Sequence, residues 1–272
     1  MTATTQIQAH SAIGELHWPE YAIEAALLGA FMVSACALTA LLEHPSSPLT
    51  AAIADPFVRR ALIGLAMGLT AIGLIYSPWG RQSGAHFNPA VTITFLRLGK
   101  IDPRDALAYV VAQCVGGMLG VQLTALAIGM LLAHPAVGFA ATVPGPAGAA
   151  VAFGAELGIS FVLMAVILLL SNSRHARFTG LVCGAIVASC ITFEAPYSGM
   201  SMNPARTLAS AVVAGQWTSF WIYVIAPPLG MLAAAEVYLR LPGARRVACA
   251  KLQHDFVTRC IFRRGYAAHE ED

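Results

Sequence analysis

The sequence predicts an all-α membrane protein with six transmembrane helices and two re-entrant half-helices, arranged as an inverted 3+3 repeat. Three observations carry that expectation. Of the 272 residues, 57% are hydrophobic and only 11% charged, against roughly a quarter charged in soluble domains. The chain therefore lacks the polar residues needed to cover a water-facing surface, and its mean hydropathy is +0.68. Six apolar stretches, 21–42, 57–78, 105–133, 151–171, 178–195 and 217–239, approach or exceed the roughly 20 residues of a spanning helix. Finally, one ten-residue pattern occurs twice, at 83–92 and at 198–207.

Taken in order, residues 1–20 contain no Lys or Arg and the first apolar run begins at Tyr21. No cleavable basic leader is expected, and 1–20 reads as an N-terminal cytoplasmic segment. The first repeat, 21–133, opens with a span bearing a single early glutamate, Glu24; the second, 151–240, opens in the same way with Glu156. The duplicated segments read SGAHFNPAVT and SGMSMNPART and agree at six of ten positions. Glutamate and asparagine stand 64 residues apart in the first half and 47 in the second, and the surplus falls in the Pro-, Ser- and Ala-rich link 43–60.

Three spans per half invert the second repeat relative to the first. The turns Asn88-Pro89-Ala90 and Asn203-Pro204-Ala205 therefore approach from opposite faces. Each precedes an apolar run too short to cross, 90–98 and 205–214, which points to re-entrant half-helices. Asn is a strong N-cap and Pro suits the first helical position, so each turn starts a helix whose N-terminus carries partial positive charge. With the Asn oxygens occupied in capping, both amides are expected to donate into a shared space, while the helix ends repel cations and excess protons.

Charge sets the orientation. If the spans alternate, thirteen Lys and Arg fall on the side of both termini and only Arg59, Arg60 and Arg206 on the other. That bias places both termini in the cytoplasm of a multi-pass plasma-membrane protein. A net charge of +2 gives no reason to expect a nucleic-acid partner. Of the six cysteines, Cys36, Cys114, Cys183 and Cys190 lie in spans and Cys249 and Cys260 in the tail 241–272; no CxxC pair or His cluster argues for a metal, and no cofactor is expected. Gly64/Gly68, Gly116/Gly120, Gly154/Gly158 and Gly180/Gly184 have the four-residue spacing of close helix crossings. The tail sequence RRVACAKLQHDFVTRCIFRR reads either as a lipid-lying segment or as a solvated one. No catalytic constellation suggests an enzyme.

Two Asn-Pro-Ala turns, each after Ser-Gly and the second followed by Arg206, together with AYVVAQCVGG at 108–117 and Phe220-Trp221, resemble the major intrinsic protein (aquaporin) family over about 21–240. The resemblance implies an aquaporin-like channel domain in a lipid bilayer and a homotetramer with one pore per subunit. Water and small neutral solutes would pass while protons and ions are excluded. It implies pore roles for Asn88 and Asn203 and a selectivity filter of Met67, Ile191, Met200 and Arg206. It also implies that Glu24 and Glu156 hold the backbone of the re-entrant loops, the alternative being ion-coupling carboxylates. His86 would brace the same scaffold or gate the cytoplasmic mouth. Water-selective members carry an aromatic and a histidine in the filter, and glycerol-conducting ones follow the arginine with aspartate; here the next residue is Thr207. Water is the expected solute, with a glycerol or hydrogen peroxide facilitator as the alternative. An ion-coupled secondary transporter would want ionisable groups at the midplane, and a non-conducting structural protein would want Met67 and Met200 to plug the pore.

Overall fold

The computed structural model describes residues 16–253 and 260–262; the expectations for 1–15, 254–259 and 263–272 lie outside them. Six helices are long and apolar enough to cross a membrane. Among the described residues they run Trp18–Glu43, Pro56–Tyr76, Pro103–Ile128, Ala149–Ser171, Ala176–Phe193 (a 3-10 turn leading into the α-helix Thr179–Phe193) and Phe220–Arg240, with two shorter helices, Pro89–Arg97 and Pro204–Ala214, between them. The starts are written locally. Asp55 and Asp102 each precede a proline and accept from the backbone N–H two residues on, at 2.8 and 3.0 Å, the side-chain cap that leaves proline at the first helical position.

Several ends differ from the apolar runs. The third span stops at Ile128 rather than continuing to 133, because Gly129 (φ 51°, ψ −121°) breaks it before the short helix Met130–Ala133. The second stops at Tyr76, since Ser77 is extended ahead of Pro78, which opens its own helix to Ser83. Trp217 lies outside the sixth span, which begins at Phe220.

Packing follows the inverted symmetry. Span one packs on span three and span four on span six, while spans two and five pair across the halves. The second half-helix lies against span three and the first against span six. Backbones meet where side chains are missing. A Cβ on Gly116 would stand 2.0 Å from the Ala25 carbonyl oxygen, and one on Gly68 2.5 Å from that of Gly184. The Gly154/Gly158 pair departs from its expected role: a Cβ on either would meet nothing within 4 Å, and Gly230 makes the close approach on that side, 2.3 Å from the Leu157 oxygen. Gly116→Leu should therefore force spans one and three apart. Overpacking costs about 1–3 kcal/mol or more, so its melting midpoint in detergent should drop by roughly 5 °C or more; an unchanged midpoint would mean that this crossing does not limit stability.

The described tail is exposed over 241–246, but from Val247 on it is neither solvated nor lipid-lying. Val247, Cys249, Ala250, Lys251 and Leu252 are buried against the helical bundle, as is Phe262. The apolar residues between the basic ones supply the packing that charge alone would not predict.

Candidate functional site

Each re-entrant turn begins with a Ser-Gly pair. Gly84 (φ 97°) and Gly199 (φ 81°) end short helices in the left-handed conformation that glycine tolerates best. The residues that follow have no such licence, yet Ala85 and Phe87 in one turn and Met200 and Met202 in the other also have positive φ, at 55°, 28°, 51° and 54°. Each such residue costs roughly 1 kcal/mol, so something must hold the turns.

Two carboxylates do so. Glu24 Oε1 accepts from Ser83 Oγ at 2.7 Å and His86 N at 3.1 Å, and its Oε2 from Phe87 N at 2.6 Å and Gln113 Nε2 at 2.8 Å. Glu156 Oε1 accepts from Ser198 Oγ at 2.9 Å and Ser201 N at 2.6 Å, and its Oε2 from Met202 N at 2.8 Å. The serines themselves accept from Ala85 N and Met200 N. Tyr109 and Tyr223 hydroxyls donate to the Ser83 and Ser198 carbonyls, one tyrosine from each third span of a repeat. Four residues after each tyrosine the symmetry breaks: Gln113 gives Glu24 a fourth donor, and its counterpart Pro227 gives Glu156 none.

The asparagines cap as expected, Asn88 Oδ1 accepting from Ala90 N at 2.9 Å and Asn203 Oδ1 from Ala205 N and Arg206 N at 3.0 and 3.2 Å. Their amides are not both free, which corrects the expectation from sequence. Asn88 Nδ2 donates to the Met202 carbonyl and Asn203 Nδ2 to the Phe87 carbonyl, each at 2.8 Å. Each turn is thus tied to the opposite one. An amide carries two N–H groups, so one per asparagine remains for the space ahead.

That space is a cavity of about 780 Å³ lined by Asn88, Asn203, Met67, Ile191, Met200 and Arg206 among others. Arg206 Nη1 is buried without a hydrogen-bond partner. Its donor is left to whatever fills the cavity. Arg60 also lines it and donates from Nε to the Thr192 carbonyl at 2.8 Å. Sequence gave no signal for Arg60 beyond its place at the start of a span. Cys183 contributes to the lining, whereas Cys190, seven residues on, does not. His86 is buried; its Nε2 donates to the Ala250 carbonyl at 2.7 Å, and in the neutral ring Nδ1 then accepts from Thr92 Oγ1 at 3.0 Å. Among the described residues no group of three or more His, Cys, Asp or Glu is placed to hold a metal.

Two half-helices meeting N-terminus to N-terminus at one cavity, inside six spans related by inversion, define a membrane protein of the re-entrant, inverted-repeat class. The family model described as major intrinsic protein matches residues 20–238, and the chain belongs to that family. It is 38% identical to aquaporin NIP1-1 of Arabidopsis thaliana over 190 residues, 68% of this chain and 63% of the relative. It is 35% identical to the glycerol uptake facilitator protein-like 6 of Lactiplantibacillus plantarum over 182 residues, 64% of this chain and 81% of that one. The chain spans about three fifths of the length of most of these curated relatives. In fold it resembles the aquaglyceroporin from Plasmodium falciparum, with TM-score 0.71 at 22% identity, covering 83% of this chain and 97% of that one.

Proposed function

We propose that the chain is a passive channel, not an enzyme, for water and small neutral solutes, and that it excludes protons and ions. The observation that carries this reading is a cavity lined by both capping asparagines and by the unpartnered Arg206 donor. A passing solute oxygen accepts from the remaining amide hydrogens of Asn88 and Asn203, and the two positive helix ends with Arg206 repel cations. Met67, Ile191, Met200 and Arg206 form the selectivity filter, with Arg206 its one strong side-chain donor. Glu24 and Glu156 serve as braces: their oxygens are taken up by loop donors, which leaves no role as coupling sites. His86 belongs to the same bracing. Both termini face the cytoplasm of a cell-membrane protein, in keeping with the charge bias, and the assembly is a homotetramer, as in the wider family.

Stopped-flow shrinkage of proteoliposomes under water, glycerol and hydrogen peroxide gradients tests the reading. Water flux should exceed that of empty liposomes while an imposed proton gradient survives; a proton leak that keeps pace with water would sink the mechanism. Within the filter, Ile191→Gly should widen the constriction and raise the glycerol-to-water ratio severalfold. An unchanged ratio in folded protein removes Ile191 from the filter and leaves the channel standing.

A further inference from the structure

The tail is attached at the channel mouth by specific contacts. Tyr238 Oη donates to the Arg245 carbonyl at 2.8 Å, Ala248 N to Asn172 Oδ1 at 2.8 Å, and Leu252 N to the Gly84 carbonyl at 3.0 Å. The Ala250 carbonyl accepts from His86, and the Phe262 ring stacks on the same imidazole with centroids 5.7 Å apart. Leu252, 4% exposed, reaches far enough to line the cavity itself, beside Ile75, Leu163 and Cys183. The tail thus adds an apolar side chain to the cavity wall and holds the first re-entrant turn through Gly84 and His86.

Two thiols sit in this same short segment. Cys249 Sγ and Cys260 Sγ are 3.6 Å apart, eleven residues apart in sequence, and not joined. Disulfide formation needs about 2.05 Å between sulfurs, a small approach for two side chains already in contact. The hydrogen bond to Cys260 and burial together raise the Cys249 thiol well above its ordinary range, so Cys249 keeps its proton. Cys260 is the more exposed of the two and is the sulfur that a reagent meets first.

We propose that Cys249 and Cys260 are a thiol-modification site, oxidised by hydroperoxides, whose disulfide holds the tail in the channel mouth and lowers conduction. The Cys260 thiolate attacks the O–O bond and becomes a sulfenic acid, releasing hydroxide, which takes up a proton to leave as water. The Cys249 sulfur then attacks the sulfenic sulfur, the new S–S bond forms, and a second water carries off the hydroxyl and the thiol proton. Two electrons pass from the thiol pair to the peroxide, and a dithiol reductant reverses the change. The cross-link acts mainly on the undocked tail, whose freedom it restricts, so it shifts the balance toward the docked, plugging arrangement.

Resting on the channel reading, the site is tested in full-length protein in liposomes, reduced or treated with hydrogen peroxide. Intact mass and stopped-flow water flux are read on the same sample. Treated wild type should lose two hydrogens and fall at least about tenfold in flux, since a short-loop disulfide moves a two-state balance by up to about a hundredfold, and dithiothreitol should restore it. Cys249→Ser/Cys260→Ser should show no reversible response, and Leu252→Gly should raise flux in the reduced state. A disulfide that leaves flux unchanged, no disulfide at all, or an equal reversible fall in the serine variant overturns the proposal. Reduced protein that never exceeds empty liposomes, even as Leu252→Gly, overturns the channel reading instead.

Discussion

Arg206→Val should make the channel leak protons and small cations while water flux changes little. The side chain follows Asn203 by three residues, in the first turn of the second half-helix, where its charge adds to the positive helix end. Among the described residues none hydrogen-bonds Nη1, which is buried. A second unit charge about 4 Å away meets about 4 kcal/mol of repulsion at an effective dielectric near 20. Even with half of that lost to screening and relaxation, removal of the guanidinium should raise cation or proton permeation roughly thirtyfold. The asparagine donors remain, so water keeps its path past the midplane. A pH-sensitive dye trapped in proteoliposomes reads the leak. If the dye responds as in wild type, the helix ends alone provide the barrier and Arg206 acts only as a donor.

Glu156→Leu should prevent folding altogether. The leucine leaves the Ser201 and Met202 amides and the Ser198 hydroxyl without their acceptor, and each abandoned buried donor costs about 1–3 kcal/mol. The same carboxylate fixes the turn in which Met200 and Met202 hold left-handed backbone, so the turn loses its shape as well. The sum is comparable to the whole stability of a typical domain, about 5–15 kcal/mol. Glu156→Gln keeps one acceptor oxygen and should yield folded but less stable protein. Size-exclusion chromatography of detergent extracts separates the outcomes. A monodisperse, conducting Glu156→Leu channel would show that the turn holds itself and that the carboxylate is present for another reason.

The repeat was legible because it is written in residue identity: Ser-Gly and Asn-Pro-Ala recur at the same offsets, and each half opens with one glutamate. Span ends were less so. Apolarity continues through Gly129 although its backbone leaves the helix there, and hydropathy does not register a change of φ. The Gly154/Gly158 spacing imitates a crossing, but which side of span four faces a neighbour depends on how the bundle is assembled. The roles of Tyr109, Tyr223 and Gln113 were hidden for the same reason: an apolar-looking stretch such as AYVVAQ does not say which of its residues turns toward a loop. The amides of Asn88 and Asn203 were assigned to the cavity on local capping chemistry alone, and their second partners come from the opposite half of the chain. Composition leaves the tail open between a lipid-lying and a solvated segment, because its basic residues outweigh the few apolar ones that dock from Val247 on.

The reciprocal bonds between the two turns also bear on how the protein is made. Asn88 meets its carbonyl partner 114 residues further along the chain, and the Phe87 carbonyl is satisfied by a side chain 116 residues further on. A ribosome therefore delivers the first repeat into the bilayer with a donor and an acceptor at membrane depth that nothing yet answers. Water must stay in the unfinished half until the second turn arrives, because neither group tolerates hydrocarbon. The first half should therefore stay hydrated at this point until the second half-helix inserts.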